Sequence, residues 1–300
     1  MKRSGDGRWQ KMKILFVTDL HGNTAKYRSV FEAAIKHGVV AVVNGGDMLT
    51  LDGDLHGSQR DFIEGFLSAY FAGYEKAGIC HLGFLGNDDL KIHDNVFDEI
   101  CRKHKHVVNL AQRRFALSCY EFIGMNWVAD YPFRLKDRCR RDGPGYIFQE
   151  QFGSGLLSTP EGFRELEDWP SYAATLPTIE DELAALPKPT ASSRAIYVIH
   201  TPPFGLGLDV ISSGEQAGSQ AVSRFIGKTR PLLTLHGHIH EAPLITGIWK
   251  AKIGETICVQ PGQLKANTLS YALIDLESME MERFEEALVS FPERDARSSS

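Results

Sequence analysis

The sequence predicts a mixed α/β sandwich, with βαβ units early in the chain and antiparallel strands later. The first observation is a series of short continuous apolar runs, typical of strands buried on both faces, which alternate with amphipathic helical segments. The second is that helical segments become rare later in the chain, where strand-like runs follow one another. The third is composition, because 300 residues that are 43% hydrophobic suffice for a full core.

The first part of the chain repeats a strand–helix unit three times. The apolar runs KILFV, VVAVV and HLGFL are the predicted strands. Helices are predicted over 24–37, 58–77 and 95–104, with Ser58 and Asp94 as the N-caps of the last two. These units account for the βαβ part of the predicted sandwich.

The later part of the chain is predicted to be mainly strands. Antiparallel strands are expected over 107–128 and over about 244–285, and the runs RAIYVI and PLLTL between them each precede a histidine. Residues 130–194 break this rhythm, because they are rich in proline and glycine and contain one clear helix, TIEDELAAL, capped by Thr178. Their few periodic apolar positions predict a lid-like insertion and not a separate domain.

The predicted organisation is a single domain over 12–290 that carries this insertion. A flexible extension is expected at 1–11, and a disordered tail is expected at 291–300.

Charge and cysteine content argue against several classes of protein. The net charge of −5 gives no sign of a global nucleic-acid-binding field. Five scattered cysteines without a C-x-x-C pair argue against a disulfide framework and for a reducing compartment. Because no run reaches the ~18 apolar residues of a membrane span and the N-terminus lacks an apolar signal segment, we expect a cytoplasmic protein. The oligomeric state is left open.

Five of the predicted strands end in side chains that can bind a metal ion. Functional groups in α/β sheets collect beyond the carboxyl ends of the strands, so these side chains are expected to meet in one crevice. Seven ligands are too many for one tetrahedral site and suit two ions about 3.5–4 Å apart that share a carboxylate. The seven residues are Asp19, His21, Asp47, Asn87, His200, His238 and His240.

These motifs, in this order, resemble those of the calcineurin-like metallophosphoesterases. The matching segments are D-x-H at 19–21, G-D at 46–47, G-N-x-D at 86–89, the lone His200 and G-H-x-H at 237–240. Order and spacing agree over roughly residues 13–262. The resemblance implies a four-layer α/β/β/α sandwich with a dinuclear metal centre.

The resemblance also implies roles for the seven residues. Asp19, His21 and His240 would bind the first ion, Asn87, His200 and His238 would bind the second, and Asp47 would bridge the two. A hydroxide held between the ions would attack phosphorus in line. Manganese is the expected metal, and iron, zinc or nickel also suit a mixed nitrogen and oxygen ligand set. The residues expected to act in catalysis are Asp47, Asn87, Asp88 and His200.

The chain departs from the family pattern at position 88. The third block usually reads G-N-H-D or G-N-H-E, with a histidine thought to protonate the leaving group, and this sequence has Asp88 in its place. An aspartate beside two cations should stay ionised and be a poor general acid. Some relatives also lack the histidine, among them a bacterial phosphodiesterase branch and the lipid A-pathway pyrophosphohydrolases. The substitution therefore argues against phosphomonoesterase and protein phosphatase activity.

The foremost functional prediction is a phosphodiesterase acting on a small-molecule or nucleotide phosphoester. The alternative is a protein-binding scaffold on the same fold with a weak or vestigial site, which has little reason to retain all seven ligands. A nuclease is a third possibility, weakened by the acidic balance and by the absence of a long basic stripe.

Several other residues have two interpretations. His236 is expected to lie in the core or behind the ligands. His56 could reach the substrate or lie in a solvated loop. The basic segment 134–145 could clamp phosphate from a lid or be solvated, and a helix beginning after Ser219 could bind a phosphate oxygen or be capped in the ordinary way.

Overall fold

The computed structural model describes residues 12–288, so the predicted extension at 1–11 and the predicted tail at 291–300 lie outside the described residues. Sixteen strands are described in this part of the chain. They are β1 (Lys13–Val17), β2 (Ala41–Asn44), β3 (Cys80–Gly83), β4 (Val107–Asn109), β5 (Arg114–Leu117), β6 (Tyr120–Met125), β7 (Val128–Ala129), β8 (Cys139–Arg140), β9 (Gly155–Thr159), β10 (Gly162–Leu166), β11 (Ala195–Ile199), β12 (Leu233–Leu235), β13 (Lys250–Ile253), β14 (Thr256–Val259), β15 (Thr268–Asp275) and β16 (Met281–Ala287).

Eight α-helices lie between these strands in residues 12–288. They are α1 (Thr24–His37), α2 (Leu55–Asp61), α3 (Ser68–Ala77), α4 (Asp94–Arg102), α5 (Trp169–Ala174), α6 (Ile179–Ala185), α7 (Gln220–Thr229) and α8 (Ala242–Thr246). A π-helical segment over Phe62–Leu67 joins α2 to α3, and short 3₁₀ turns lie at Lys91–His93 and Ser192–Arg194. None of these helices is both long enough and apolar enough to cross a membrane.

Twelve of the strands form two mixed sheets of six. The first has the order β16-β15-β1-β2-β3-β4, with β1 to β4 parallel and β15 and β16 antiparallel. The second has the order β13-β14-β12-β11-β6-β5, with the four inner strands parallel and both edge strands antiparallel. The predicted mixed α/β class is confirmed.

The core is arranged in four layers because strand side chains alternate between two faces. In β1, Ile14 and Phe16 pack between the two sheets, whereas Leu15 and Val17 pack against the helices. The outer face of the first sheet is covered by α1, α3 and α4, and that of the second by α6 and α7. This is the predicted α/β/β/α sandwich.

The strand predictions are only partly correct. Within 107–128, β5 and β6 form an antiparallel hairpin, but β4 is a parallel edge strand of the other sheet. Within 244–285, two antiparallel hairpins occur, but they lie in different sheets, and β14 also pairs in parallel with β12.

The helix predictions agree for α1 and differ for the next two. α1 spans the predicted residues and ends at Gly38 in the left-handed conformation. The helix expected from Ser58 begins three residues earlier, because Asp54 caps it by accepting bonds from the backbone of His56 and Gly57. Asp94 makes no capping hydrogen bond and instead pairs with Arg138.

The segment 130–194 is more ordered than its composition predicts. It contains the hairpin β9–β10, the helix α5, and the helix α6 with the expected Thr178 cap, which forms a capping box with Asp181. Trp169 is buried with Val128 and Cys139 in a small separate cluster. The lid-like role of this segment within a single domain stays a prediction.

The basic segment 134–145 was expected either to clamp phosphate or to be solvated, and neither expectation describes its buried basic residues. Lys136 pairs with Asp130 at 2.8 Å, Arg138 pairs with Asp94, and Arg140 pairs with Glu182 at 3.2 Å. Lys136 is 1% exposed and Arg138 is 2% exposed, so they are neither solvated nor available as a phosphate clamp. The Arg138–Asp94 pair joins the insertion to the rest of the protein, whereas the other two pairs lie within the insertion.

We predict that Lys136→Met destabilises the fold strongly, because it leaves the buried Asp130 carboxylate without a counter-charge. The expected loss in the free energy of unfolding is about 3–5 kcal/mol. Arg134→Met is the matched control, because the Arg134–Glu165 pair is half exposed and such pairs contribute roughly 0–1 kcal/mol. Urea denaturation of both variants checks this, and equal losses would contradict it.

Candidate metal centre

The predicted ligands follow the carboxyl ends of five parallel strands. Asp19 and His21 follow β1, Asp47 follows β2, and Asn87 follows β3 in the first sheet. His200 follows β11, and His238 and His240 follow β12 in the second sheet. The packing of the two sheets places these strand ends side by side, so the predicted ligands share one crevice, as expected for groups beyond the carboxyl ends of strands.

Two groups of ligand atoms share the carboxylate of Asp47. One group contains Asp19, His21 and Asp47, the other contains Asp47, His200 and His238, and within each group the atoms lie within 4.8 Å of one another. The Asp47 Oδ2 atom is 3.2 Å from His200 Nε2, and Oδ1 accepts a hydrogen bond from the Asp88 backbone at 2.9 Å. Asp47 thus lies where the two groups meet.

Asn87 belongs with the second group. Its Oδ1 atom is 2.8 Å from His200 Nε2 and 2.7 Å from His238 Nδ1. Its Nδ2 group donates to Asp88 Oδ1 at 2.9 Å and to the Tyr131 hydroxyl at 3.4 Å. These donations turn the amide oxygen toward the two imidazoles.

The orientation of His200 is fixed by a backbone carbonyl. Its Nδ1 group donates to the Gly45 oxygen at 2.7 Å, which leaves Nε2 directed at Asp47 and Asn87. Burial acts to lower the pKa of His200, but the charge of Asp47 raises it to about 9. A cation at this position must therefore displace the Nε2 proton, so metal binding weakens as pH falls.

Three polar atoms at the site are buried without a hydrogen-bond partner among the described residues. They are Asp19 Oδ2, His21 Nδ1 and His240 Nδ1. Buried polar atoms normally have partners, and a carboxylate oxygen with two imidazole nitrogens is a set that divalent transition-metal ions bind well. The residues present therefore fit a metal site.

A family model described as calcineurin-like phosphoesterase matches residues 12–242. The chain belongs to this family. Its members use divalent metal ions and act on small phosphoesters, so the protein is a hydrolase of the phosphoric ester class, as the motifs predicted.

Solved structures with the same fold include TT1561 of Thermus thermophilus, which is 18% identical with a TM-score of 0.56 and covers 92% of this chain and 99% of that one. Another is a dimetal phosphatase from Danio rerio, which is 11% identical with a TM-score of 0.51 and covers 93% and 98%. At these identities the likeness concerns the fold. No curated protein matches the chain by sequence.

His240 and Asp88 lie at the edge of the phosphoesterase site. The His240 ring is 5.8 Å from the His21 ring but belongs to neither group of clustered ligand atoms. Metal binding by all seven residues stays a prediction. Asp88 Oδ2 is 4.0 Å from His21 Nδ1. Burial and the charge of Asp47 raise the pKa of Asp88 to about 7. Divalent cations bound beside Asp88 would lower this pKa.

None of the remaining candidates belongs to the two groups of clustered ligand atoms. His236 is a core histidine, with Nδ1 2.9 Å from the Ile199 oxygen and Nε2 2.8 Å from Thr234 Oγ1. His56 packs on the Phe163 ring at 4.7 Å. Ser219 caps α7 in the ordinary way, and Asp142 accepts hydrogen bonds at this helix end, so an anion finds no place there.

Asp89 is a residue whose role the sequence did not reveal. Its Oδ2 atom accepts from the backbone of Met48 at 2.9 Å and Gly86 at 2.7 Å, and Oδ1 accepts from Leu49 at 2.7 Å. One buried carboxylate therefore fastens the loop after β2 to the loop after β3. In the sequence, its place as the last residue of the G-N-x-D motif was the only sign that Asp89 has a role at the site.

The backbone of the site is strained at four of the predicted ligands. Asp19, His21, Asp47 and His238 have φ values of 54°, 43°, 50° and 69°, in the left-handed region that side-chain-bearing residues rarely adopt. The conformation is held by backbone hydrogen bonds, since the Asp19 and His21 amides donate to Gly46 and Asp47 oxygens, both at 3.0 Å. Strain of this kind is typical of functional sites.

A cavity of about 1150 Å³ opens above the centre. Asp47, Asn87, His238 and His240 form part of its floor, while the segment 129–133, the segment 149–152 and the loop 211–217 contribute its walls. The insertion therefore borders the site, although none of its buried basic side chains lines the cavity.

We predict that Gly86→Ala disrupts the site without unfolding the protein. A Cβ atom at this position would lie 2.3 Å from both the backbone nitrogen and Oδ1 of Asp47. Displacing Asp47 should weaken metal binding by roughly 10–100-fold.

Metal content by elemental analysis, beside the circular dichroism spectrum, tests this prediction. The control is Gly65→Ala, because a Cβ atom there meets nothing within 4 Å. Full metal content in a folded Gly86→Ala protein would contradict the prediction.

Proposed function

We propose that the protein is a dinuclear metal-dependent phosphodiesterase that acts on small-molecule or nucleotide phosphoesters. The observation that carries this proposal is the membership of Asp47 in both groups of clustered ligand atoms. A shared carboxylate is what two ions about 3.5–4 Å apart require. The fold shared with the Danio rerio dimetal phosphatase agrees with the proposal.

The two ions would be held by the ligands in two sets joined at Asp47. Asp19, His21 and His240 complete the first set, and Asn87, His200 and His238 complete the second. Manganese is our first choice, with iron, zinc or nickel as alternatives. Such ions, when bound, acidify a coordinated water and neutralise charge that develops on the phosphoryl group.

The residues of the chain prepare the site for this chemistry. Gly45 holds His200 with Nε2 facing inward, and Asp88 and Tyr131 orient the Asn87 amide. The strained, hydrogen-bonded loops keep Asp19 and Asp47 in place without further rearrangement. Such preorganisation is the main contribution that a protein makes to a metal-assisted displacement.

Charge in the cavity favours a diester over a monoester. Among the described residues, no lysine or arginine lines the cavity, whereas Glu150, Glu215 and Glu241 do. A monoester brings a second negative charge that these side chains do not compensate, while a diester brings only one. Small phosphoesters, and not nucleic acids, are accordingly the proposed substrates.

All five cysteines are free thiols. This agrees with the reducing compartment expected from their spacing, and we propose the cytoplasm as the location.

We expect two ions per chain after Mn²⁺ loading, and a loss of metal and of turnover in Asp47→Asn and His238→Ala. Each variant should hydrolyse bis(p-nitrophenyl) phosphate at least ~10²-fold more slowly, because both ions depend on these residues. His56→Ala is the control, since His56 packs on the β9–β10 hairpin.

Metal analysis and turnover are measured on the same metal-stripped and reloaded samples. A single ion in the loaded protein would refute the dinuclear site. A folded Asp47→Asn variant with normal turnover would favour the scaffold alternative.

We predict that Asp88→His changes the preference for leaving groups. Without a histidine to protonate the departing oxygen, the wild type should hydrolyse aryl esters well and alkyl esters poorly. A positioned acid contributes ~10²–10⁴ in rate, and an imidazole without evolved support should reach the low end or less. The alkyl-to-aryl ratio of kcat/KM should therefore rise.

Asp88→Asn is the matched control, because it removes the carboxylate without supplying an imidazole. A ratio that rises equally in both variants, or falls in the histidine variant, would show that Asp88 has a role of its own in the reaction.

A further inference from the structure

Three aromatic rings form a continuous row that starts at a metal ligand. The Tyr131 ring lies 5.5 Å from the His238 ring, Phe133 lies 5.9 Å from Tyr131, and Phe152 lies 5.3 Å from Phe133. All three line the cavity. We call this set the aromatic row.

The outer members of the aromatic row are unusually exposed for their size. Phe133 is 61% exposed and Phe152 is 66% exposed. Both belong to the insertion, yet neither packs into its small core around Trp169. Exposed aromatic side chains that line a cavity with a few polar groups at its floor are typical of a ligand site.

Three glutamates also line the cavity, and we call them the acidic wall. Glu215 lies on the loop 211–217, and Glu241 follows His240, with its Oε2 atom 3.5 Å from His240 Nδ1. Glu150 lies beside the aromatic row in the sequence of the insertion. The nearby basic residues do not offset these charges, because Lys136, Arg138 and Arg140 are paired elsewhere.

We propose that the cavity selects phosphodiesters with an aromatic arm that carries no further negative charge, and that it excludes esters with a second phosphate. This inference rests on the proposed function of the metal centre, which would hold the single phosphoryl group at the floor. The aromatic row then contacts the arm, and the carboxylates repel additional phosphate groups.

The two effects have different physical signatures. The strength of contacts between aromatic rings depends on the arrangement of the rings and little on salt concentration. Such contacts contribute up to about ten-fold in affinity. Repulsion between exposed carboxylates and a phosphate is screened, so it weakens when ionic strength rises. Each effect can therefore be tested by itself.

The aromatic row is tested by binding, with a readout that does not require turnover. The probes are the monomethyl esters of phenylphosphonate and ethylphosphonate, which carry the same single charge. Calorimetry on the Mn²⁺-loaded protein should show that the phenyl probe binds about ten-fold more tightly. The double variant Phe133→Ala/Phe152→Ala, which keeps only Tyr131 of the aromatic row, should show a smaller ratio.

Phe163→Ala is the matched control, since Phe163 is 44% exposed but contacts His56 outside the cavity. It should keep the wild-type ratio. Equal affinity for both probes in the wild type, or an unchanged ratio in the double variant, would overturn the role of the aromatic row.

The acidic wall is tested with thymidine 5′-(p-nitrophenyl phosphate) and its 3′-phosphorylated form. The wild type should prefer the unphosphorylated substrate, and Glu150→Gln/Glu215→Gln should raise the relative kcat/KM of the phosphorylated one by roughly five-fold. This gain should shrink in 0.5 M salt, where the Debye length falls to about 4 Å. Glu255→Gln is the control, because Glu255 is fully exposed at the β13–β14 turn.

A wild type that hydrolyses both substrates equally would overturn the exclusion of a second phosphate. A loaded protein that hydrolyses no ester at all would instead refute the proposed function. The two failures are thus distinguishable, since the calorimetric ratio is measured without turnover.

Discussion

The Asp47 carboxylate is the group on which the geometry of the site depends. It faces His200 at 3.2 Å, accepts the Asp88 amide at 2.9 Å, and belongs to both groups of clustered ligand atoms. Other carboxylates, those of Asp19 and Asp89, are buried nearby. Like charges held this close destabilise a fold unless cations compensate them. His200, whose pKa is raised to about 9, compensates the charge of Asp47 in part, and a divalent cation would displace its proton and take over this role.

The loops withstand this repulsion because their backbones are joined to one another. Asp89 accepts three backbone amides from two loops, and the Asp19 carboxylate accepts the amide of His238 from the other sheet at 3.0 Å. Gly237 allows this approach, since a Cβ atom there would lie 2.0 Å from Thr18 Oγ1. The positions of the proposed ligands are thus fixed by contacts that their own loops make with one another.

The sequence revealed those features of the fold and site that depend on local pattern. Apolar runs followed by polar side chains predicted the strand ends, and six of the seven proposed ligands meet there. Features that depend on distant partners were not accessible. In the sequence, Asp94 resembles a helix N-cap, and only the structure shows that it binds Arg138, 44 residues later. Likewise, nothing local shows that β4 pairs with β3, or that three amides converge on Asp89.

The insertion shows why a cluster of basic residues is a poor guide to a phosphate site. Arg140 stacks 3.8 Å from the Trp127 ring, and Lys136 lies over the Trp169 and Tyr131 rings, so their charges stabilise buried and half-buried aromatic side chains. Phe133 and Phe152 of the same insertion are instead exposed and line the cavity. The charge that a phosphoester needs must then come from the floor of the cavity, where the ligands converge. The walls are left to distinguish substrates by shape and by the absence of further charge.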